Sequence, residues 1–421
     1  MTTPVLLALT GSALESAVVM ALQHPERAGV RIARRCVDVA DLVAAAVTGQ
    51  ARAALVAADL PHLDADVVAG LRAAHVEPLG VVGDDAPAAA HRLHQIGIGT
   101  VLVAGGGDDL ATQVVDSLAR STPSEQVPAE PRDDGGGAPK RLGEVVAVWG
   151  PTGAPGRSTV AIGLAAELAE LGHQAMLVDA DVYGGSVAQH LAILDDVSGL
   201  LAAARNAKVG ALDPPALAAH CRQLGGGLRI LTGLPRPDRW PELSPAAMSA
   251  VLVAARATVD YVVVDCGFSL ESEEELMFDT AAPRRNGATL RALEQADRVL
   301  AVGAADPVGL SRLARGVVDL TAALPWCEPS IVVNRMRPSL GWSASEATSM
   351  IERFTGRGPA VVLSEDRAAC DKALVRGQTL VECAPGSALR AGLRGMAADL
   401  AGVHDAAPSG QGRRRGARAV T

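Results

Sequence analysis

The sequence predicts an α/β protein built on two doubly wound sheets, and three observations carry that expectation. Short apolar runs alternate with helical patterns both before residue 120 and after residue 142. Between them, residues 121–140 are rich in Pro, Gly, Ser and charge, with Asp133-Asp134-Gly135-Gly136-Gly137 at the centre, the composition of a flexible linker. A chain of 421 residues with 49% hydrophobic content is long enough to bury more than one core. The expected organisation is a first unit over 1–120, the linker over 121–140, a second unit over 141–402 and a tail over 403–421.

In the first unit the strand candidates are Val5 to Leu9, Arg31 to Arg34, Ala53 to Ala57, Leu79 to Val82 and Thr100 to Ala104. Five such alternations predict a flavodoxin-like sheet, and their order resembles a response-regulator receiver, including Leu60-Pro61 after the third strand. Phosphotransfer on that frame needs an acidic pair after the first strand, an Asp ending the third and a Lys ending the fifth. Here the first strand runs into Thr10-Gly11, Ala57 stands at the phosphoacceptor place, Asp59 is two residues off and no Lys precedes Lys140. The unit therefore reads as a pseudo-receiver used for docking.

In the second unit strands are expected at Val145 to Trp149, Ala175 to Asp179, Tyr261 to Asp265, Arg298 to Val302, Ser330 to Asn334 and Ala360 to Leu363. Runs such as Tyr-Val-Val-Val-Asp are uniformly apolar, as strands covered on both faces require. After the first of them, residues 149–159 read Trp-Gly-Pro-Thr-Gly-Ala-Pro-Gly-Arg-Ser-Thr and lead into Val160, Leu164, Leu168 and Leu171 at helical spacing, with Gly172 as the stop. A strand, a glycine-rich bend and a helix start form an anion cradle, since backbone N–H groups turn inward and the helix adds its positive end. The pattern G-x-x-x-x-G-K-[ST] is met at Gly156 and Ser158, while Pro151 takes the first Gly position and Arg157 the Lys position. An ordinary tight turn is the competing reading. Two further features weigh against it: Asp179-Ala180-Asp181 ends one strand in two carboxylates able to reach the carboxyl edge of the sheet, and Asp265 ends another as a Walker-B-like acid.

These residues together resemble the MinD/ParA superfamily of deviant-Walker ATPases, of the SIMIBI type. Gly153 to Ser158 is similar to the family's K-G-G-x-G-K-[ST] loop, Asp179-Ala180-Asp181 to its second acidic motif and Asp265 to its Walker B Asp. Val332-Val333-Asn334-Arg335 looks like the adenine-contacting strand end, and Glu365-Asp366 with Ala373 and Gly377 like the segment that closes over the base. The resemblance spans residues 142 to about 402. A pseudo-receiver ahead of such a module looks like the CpaE/TadZ branch, and the Ala-rich, Lys-poor composition like an actinobacterial, septum-determining form of it.

The resemblance implies ATP and Mg²⁺ as cofactors. Gly153, Ala154, Pro155, Gly156, Arg157, Ser158 and Thr159 would cradle the phosphates, with Asn334, Arg335 and Asp366 at the base. Ser158, Asp265 and Asp181 would serve the metal, Asp181 would position the attacking water and Arg157 would face the β- and γ-phosphates. It also implies a nucleotide-dependent homodimer acting on cell-division or Tad-pilus assembly proteins. Two departures matter. Thr152 stands where the family carries a lysine that crosses to the partner's nucleotide, and the planar fork of Arg157 is no drop-in for a compact ammonium. Loss of one phosphate-stabilising group typically costs about 10²–10³ in rate, so nucleotide binding is expected to be weak and hydrolysis slow to undetectable. The alternative is a non-hydrolysing scaffold on a degenerate loop.

Composition bounds the rest. A net charge of −9 argues against a protein whose main task is wrapping nucleic acid. Cys36, Cys221, Cys266, Cys327, Cys370 and Cys383 form no C-x-x-C pair, and no signal or long apolar span is evident, so a reduced, cytoplasmic protein is expected, recruited to a pole, septum or membrane surface. His173, His190 and His220 lack a second ligand at metal spacing, and Ser269 has no nucleophile elbow. Glu271, Glu273, Glu274 and Glu275 read as a solvated helix start. Arg413, Arg414, Arg415 and Arg418 form a basic tail without large apolar residues. Such a tail supplies on the order of 4 kcal/mol at an anionic membrane, enough for transient contact only.

Overall fold

The computed structural model describes residues 2–9, 11–12, 14–22, 29–104, 109–120, 142–153, 155–194, 197–272 and 283–403. The linker, the basic tail, Glu273 to Glu275 and Ala154 lie outside the described residues.

β1 (Thr3–Ala8), β2 (Val30–Arg35), β3 (Ala53–Ala57), β4 (Glu77–Val82) and β5 (Thr100–Val103) form a parallel sheet in the order β2-β1-β3-β4-β5. This is the flavodoxin order. Strand β3 is buried at every position because it is central and both faces are covered, with Leu6, Val56 and Leu71 on one side and Leu7, Leu55 and Val81 on the other. Ala57 closes β3 fully buried, so apolar packing fills the place where a receiver would carry its phosphoacceptor.

The second sheet comprises β6 (Glu144–Trp149), β7 (Ala175–Ala180), β8 (Arg222–Leu224), β9 (Leu228–Leu231), β10 (Tyr261–Cys266), β11 (Arg298–Ala304), β12 (Ser330–Met336) and β13 (Val361–Ser364). Its order is β13-β12-β11-β6-β10-β7-β9-β8. All pairs are parallel except β8 with β9. The hairpin of β8 and β9 extends the sheet beyond the strands expected from the sequence. Each expected strand is present, and the parallel register sets Asp265 of β10 directly beside Asp179 of β7.

The helix Arg157–Glu170 follows β6 and stops at Leu171 and Gly172. Every residue from Val160 to Ala169 is buried, because the helix lies between the sheet and the helix Ala388–Ala401. The helix Ala388–Ala401 packs on the helix Arg157–Glu170 and on β13, and Leu393 enters the gap left by Gly163. Glu167 is buried between these helices and accepts from Arg390 Nε at 2.7 Å.

The two units touch. The helix Ala65–Ala73 of the first packs on the helices Gly199–Lys208 and Pro245–Arg256 of the second. Ala246 reaches the first unit's core, and Lys208 Nζ lies 2.9 Å from Asp66 Oδ2. Among the described residues no helix is long and apolar enough to cross a membrane.

Candidate nucleotide-binding site

The loop Gly150–Gly156 leaves β6 at the carboxyl edge of the sheet, where ligands of open α/β folds collect. Gly153 and Gly156 adopt φ of 107° and 95°, a left-handed conformation that side-chain-bearing residues rarely take. Gly156 is also the N-cap of the helix Arg157–Glu170 and offers no side chain to its first-turn amides, which therefore remain available to an anion. Asn334, at the end of β12 and almost fully buried, donates from Nδ2 to the Pro155 carbonyl at 2.8 Å and holds the loop. A Cβ on Gly156 would lie only 2.4 Å from that same Nδ2. The glycine and the asparagine thus specify one loop geometry together.

Three acids line up behind the loop. Asp265 is fully buried, and neither carboxylate oxygen has a hydrogen-bond partner among the described residues. Burial pushes its carboxyl up to about 7; the neighbouring Ser158 hydroxyl and Arg157 guanidinium pull the other way, and Asp181 adds to the rise. Ser158 is close enough to stabilise the charge, yet it does not sit in bonding geometry. Asp179 is raised well above the usual carboxylate range, first by burial and then by Asp265 beside it. It accepts from the Val187 N–H at 3.1 Å and lies under Gly185 and Gly233, whose added Cβ atoms would meet it at 2.7 and 2.6 Å. The sequence has both carboxylates of Asp179-Ala180-Asp181 able to reach the cleft; Asp179 instead lies inside the fold, supporting the turn after β7.

Asp181 accepts at Oδ1 from the N–H groups of Tyr183 and Gly184 at 2.9 and 3.2 Å. Its Oδ2 lies 3.3 Å from Arg157 Nη2. Arg157 Nη1 in turn donates to the carbonyls of Gly150 and Pro151 at 3.0 and 3.2 Å. The guanidinium is folded back across the loop, tying its entry to Asp181. Of the lysines among the described residues, Lys208 bridges to the first unit and Lys372 donates to the Cys383 carbonyl. Positive charge at the loop comes from arginine.

A cleft of about 420 Å³ adjoins the loop, lined by Gly156, Thr159, Asn334, Arg335, Asp366 and Cys370 among others. It brings together the residues assigned to the base by their resemblance. Arg335 holds φ 61°, a strained value for a side-chain-bearing residue. Asp366 caps the helix Arg367–Arg376 by accepting from the Ala369 N–H at 3.1 Å, and a hydrogen bond from the Ser387 hydroxyl holds its carboxyl below the usual range. Part of Asp366 is therefore structural.

Other sequence candidates lie elsewhere. His190 bonds the Ser186 carbonyl, His220 bonds Asn206 and His173 packs edge-on against Tyr261. Among the described residues no three His, Cys, Asp or Glu side chains converge as a metal site. A divalent cation at the loop would rest on Asp265 and Ser158, with phosphate and water completing its oxygens.

The sequence reading missed two features. Tyr183 donates to Asn286 Oδ1 at 2.8 Å and packs between Phe268 and Arg285, which braces the turn carrying Asp181. Arg312, on the helix Pro307–Ala323, lies against Gly153. Only tertiary structure brings these residues to the loop.

Residues 141–211 match a family model described as ParA, NUBPL iron-transfer P-loop NTPase. Among curated proteins none matches the chain. A ParA family ATPase from Chlorobium tepidum aligns with a TM-score of 0.51 and 20% identity over 60% of this chain and 98% of its own. The cell division ATPase MinD of Pyrococcus furiosus aligns with a TM-score of 0.50 and 17% identity over 62% of this chain and 100% of its own. At this identity the likeness establishes the fold, a mostly parallel α/β sheet of the ParA/MinD P-loop NTPase kind.

Proposed function

We propose that this chain is a nucleotide-binding spatial regulator of the MinD/ParA class, taking ATP with Mg²⁺ at Gly153–Thr159. The observation that carries this reading is Asp265, a fully buried carboxylate whose two oxygens lack partners beside a glycine cradle and Ser158. A buried, unsatisfied charge costs several kcal/mol, and a bound divalent cation removes that cost. The residues fit the group: amides of the helix start for the phosphates, Ser158 and Asp265 for the cation, and the cleft at Asn334, Arg335 and Asp366 for the base. Magnesium, when bound, would neutralise phosphate charge.

Hydrolysis is slow in this reading, because both groups assigned to it are already engaged. Arg157 is held by Gly150, Pro151 and Asp181, and Asp181 is held by Arg157, Tyr183 and Gly184. That same latch favours the second reading, a scaffold of identical fold that binds without turnover. The role we infer is a nucleotide-dependent homodimer positioning septum or Tad-pilus machinery, with the pseudo-receiver as the docking unit and the tail touching anionic membrane transiently. Titration of fluorescent ATP and ADP with Mg²⁺, followed by sizing of the complex, tests it. Binding with dimerisation on ATP supports the switch; binding without a change of size leaves the scaffold; no binding at millimolar nucleotide removes both nucleotide roles.

A further inference from the structure

We infer that Arg312 is the cation that meets the terminal phosphate of the bound nucleotide, in place of the lysine absent from position 152. This inference rests on the nucleotide reading above and adds a residue to it.

The geometry is specific. A Cβ built on Gly153 would lie 2.2 Å from Arg312 Nη1 and 3.3 Å from its Cζ, so the guanidinium occupies the space that the bare glycine leaves at the loop. Arg312 is solvent-exposed, and no hydrogen bond or ion pair joins it to another described residue. It lines a small cleft of about 100 Å³ with Thr152, Gly153, Pro155, Asp306 and Arg335. Asp306, the acid of that cleft, is engaged as a helix cap through the Gly309 N–H at 2.9 Å. Two arginines and one acid thus line the same cleft, and Arg335 Nε lies 4.0 Å from the Cβ position of Gly156.

Arg157 cannot serve this mouth while its guanidinium is folded onto the Gly150 and Pro151 carbonyls. Thr152 is neutral, and neither described lysine is near. A cluster of guanidinium groups without matching carboxylates favours an anion, and a planar fork suits a phosphate bidentately. Arg312 reaches the loop from a neighbouring helix, so its charge adds to the backbone cradle without distorting it. Arg312 approaches Gly153 and does not line the cleft assigned to the base, so its charge would bear on the phosphate end and separate tri- from diphosphate.

The test compares Mg-ATP and Mg-ADP affinities of the full chain with those of Arg312→Ala and Arg312→Lys. The expected result is a loss of about tenfold in ATP affinity for Arg312→Ala with ADP changed less than about twofold, and near-normal values for Arg312→Lys. Thermal melts of each variant check folding, which an exposed helical arginine replaced by alanine should leave intact. If the wild-type chain binds neither nucleotide, the nucleotide reading itself falls. If it binds both and Arg312→Ala leaves the ATP-to-ADP ratio unchanged, the role of Arg312 alone is overturned.

Discussion

The two sheets share a construction principle and differ at one edge. In the first, the central strands β3 and β4 end at the carboxyl edge in packed apolar residues, Ala57 and Val82. In the second, the same edge carries Asp179, Asp181 and Asp265, all buried, with Arg157 folded onto Asp181. A fold does not choose its chemistry; the residues at the strand ends do. Of the three, Asp265 alone is buried without a hydrogen-bond partner among the described residues, a cost to the ligand-free chain that the proposed cation would remove. The first unit meets the second through the helix Ala65–Ala73 and not through this edge.

The most severe way to break this comparison is to give the first edge what the second has. Ala57→Asp should destabilise the first unit by about 3–5 kcal/mol near neutral pH, because the new charge has neither cation nor donor around it. Urea unfolding followed by circular dichroism reads the loss. A variant that keeps wild-type stability would show that this edge tolerates a buried charge and would break the contrast.

The reverse change sharpens the contrast. Asp265→Asn should lower Mg-nucleotide affinity by about a hundredfold or more, while making the ligand-free protein more stable at pH 8. The sign follows from protonation. An unfolded Asp titrates near about 3.9, whereas Asp265 in the fold sits at about 7. Between those values the folded state holds the extra proton, so the stabilisation is complete in acid and lost as pH rises through about 7. Wild-type melting temperature should fall over that window and the variant's should fall less, with Asp179 supplying the remainder in the same direction. Magnesium affinity should rise with pH over the same range, since the cation and the proton compete for one carboxylate. Equal melting profiles for the two proteins would show that Asp265 carries no such burden.

A smaller effect is expected at Asn334. Its amide is buried and its bond to Pro155 spans distant parts of the chain. Asn334→Ala should cost about 1–2 kcal/mol of stability and weaken nucleotide binding by about tenfold through loss of loop geometry. Asn334→Asp should not rescue it, since a carboxylate accepts but cannot donate to that carbonyl.

Much of this contrast was legible in the sequence because buried parallel strands are uniformly apolar and their polar ends stand out. Val145 to Trp149 and Tyr261 to Asp265 were readable for that reason, as was a glycine-rich bend, which the structure shows to be left-handed at Gly153 and Gly156. The hairpin Arg222–Leu231 was not, because β8 is short and exposes Arg222 and Gln223. Depth was hidden as well: Asp179 and Asp181 are two residues apart, yet one supports the turn and the other faces Arg157. The fate of Arg157 depended on carbonyls at Gly150 and Pro151, and Arg312 is distant in sequence from the loop that it touches. Spacing alone cannot report where a long flexible cation comes to rest.

The weakest predicted effect bears on whether the two units communicate. Lys208 and Asp66 join the helix Gly199–Lys208 to the helix Ala65–Ala73 at 2.9 Å, each about one-third exposed. A partly solvated pair of this kind contributes about 0.5 kcal/mol, and less at high salt. Lys208→Ala should therefore barely shift the melting temperature, and a double-mutant cycle with Asp66→Ala should return a coupling of that size at low salt that fades at 1 M salt. The apolar contact through Ala246 carries the rest of the interface, so Ala246→Glu should loosen the units far more than loss of the ion pair. If Lys208→Ala also alters nucleotide affinity, the position of the first unit is felt at Asp181 and Asp265 through the helix Ala65–Ala73.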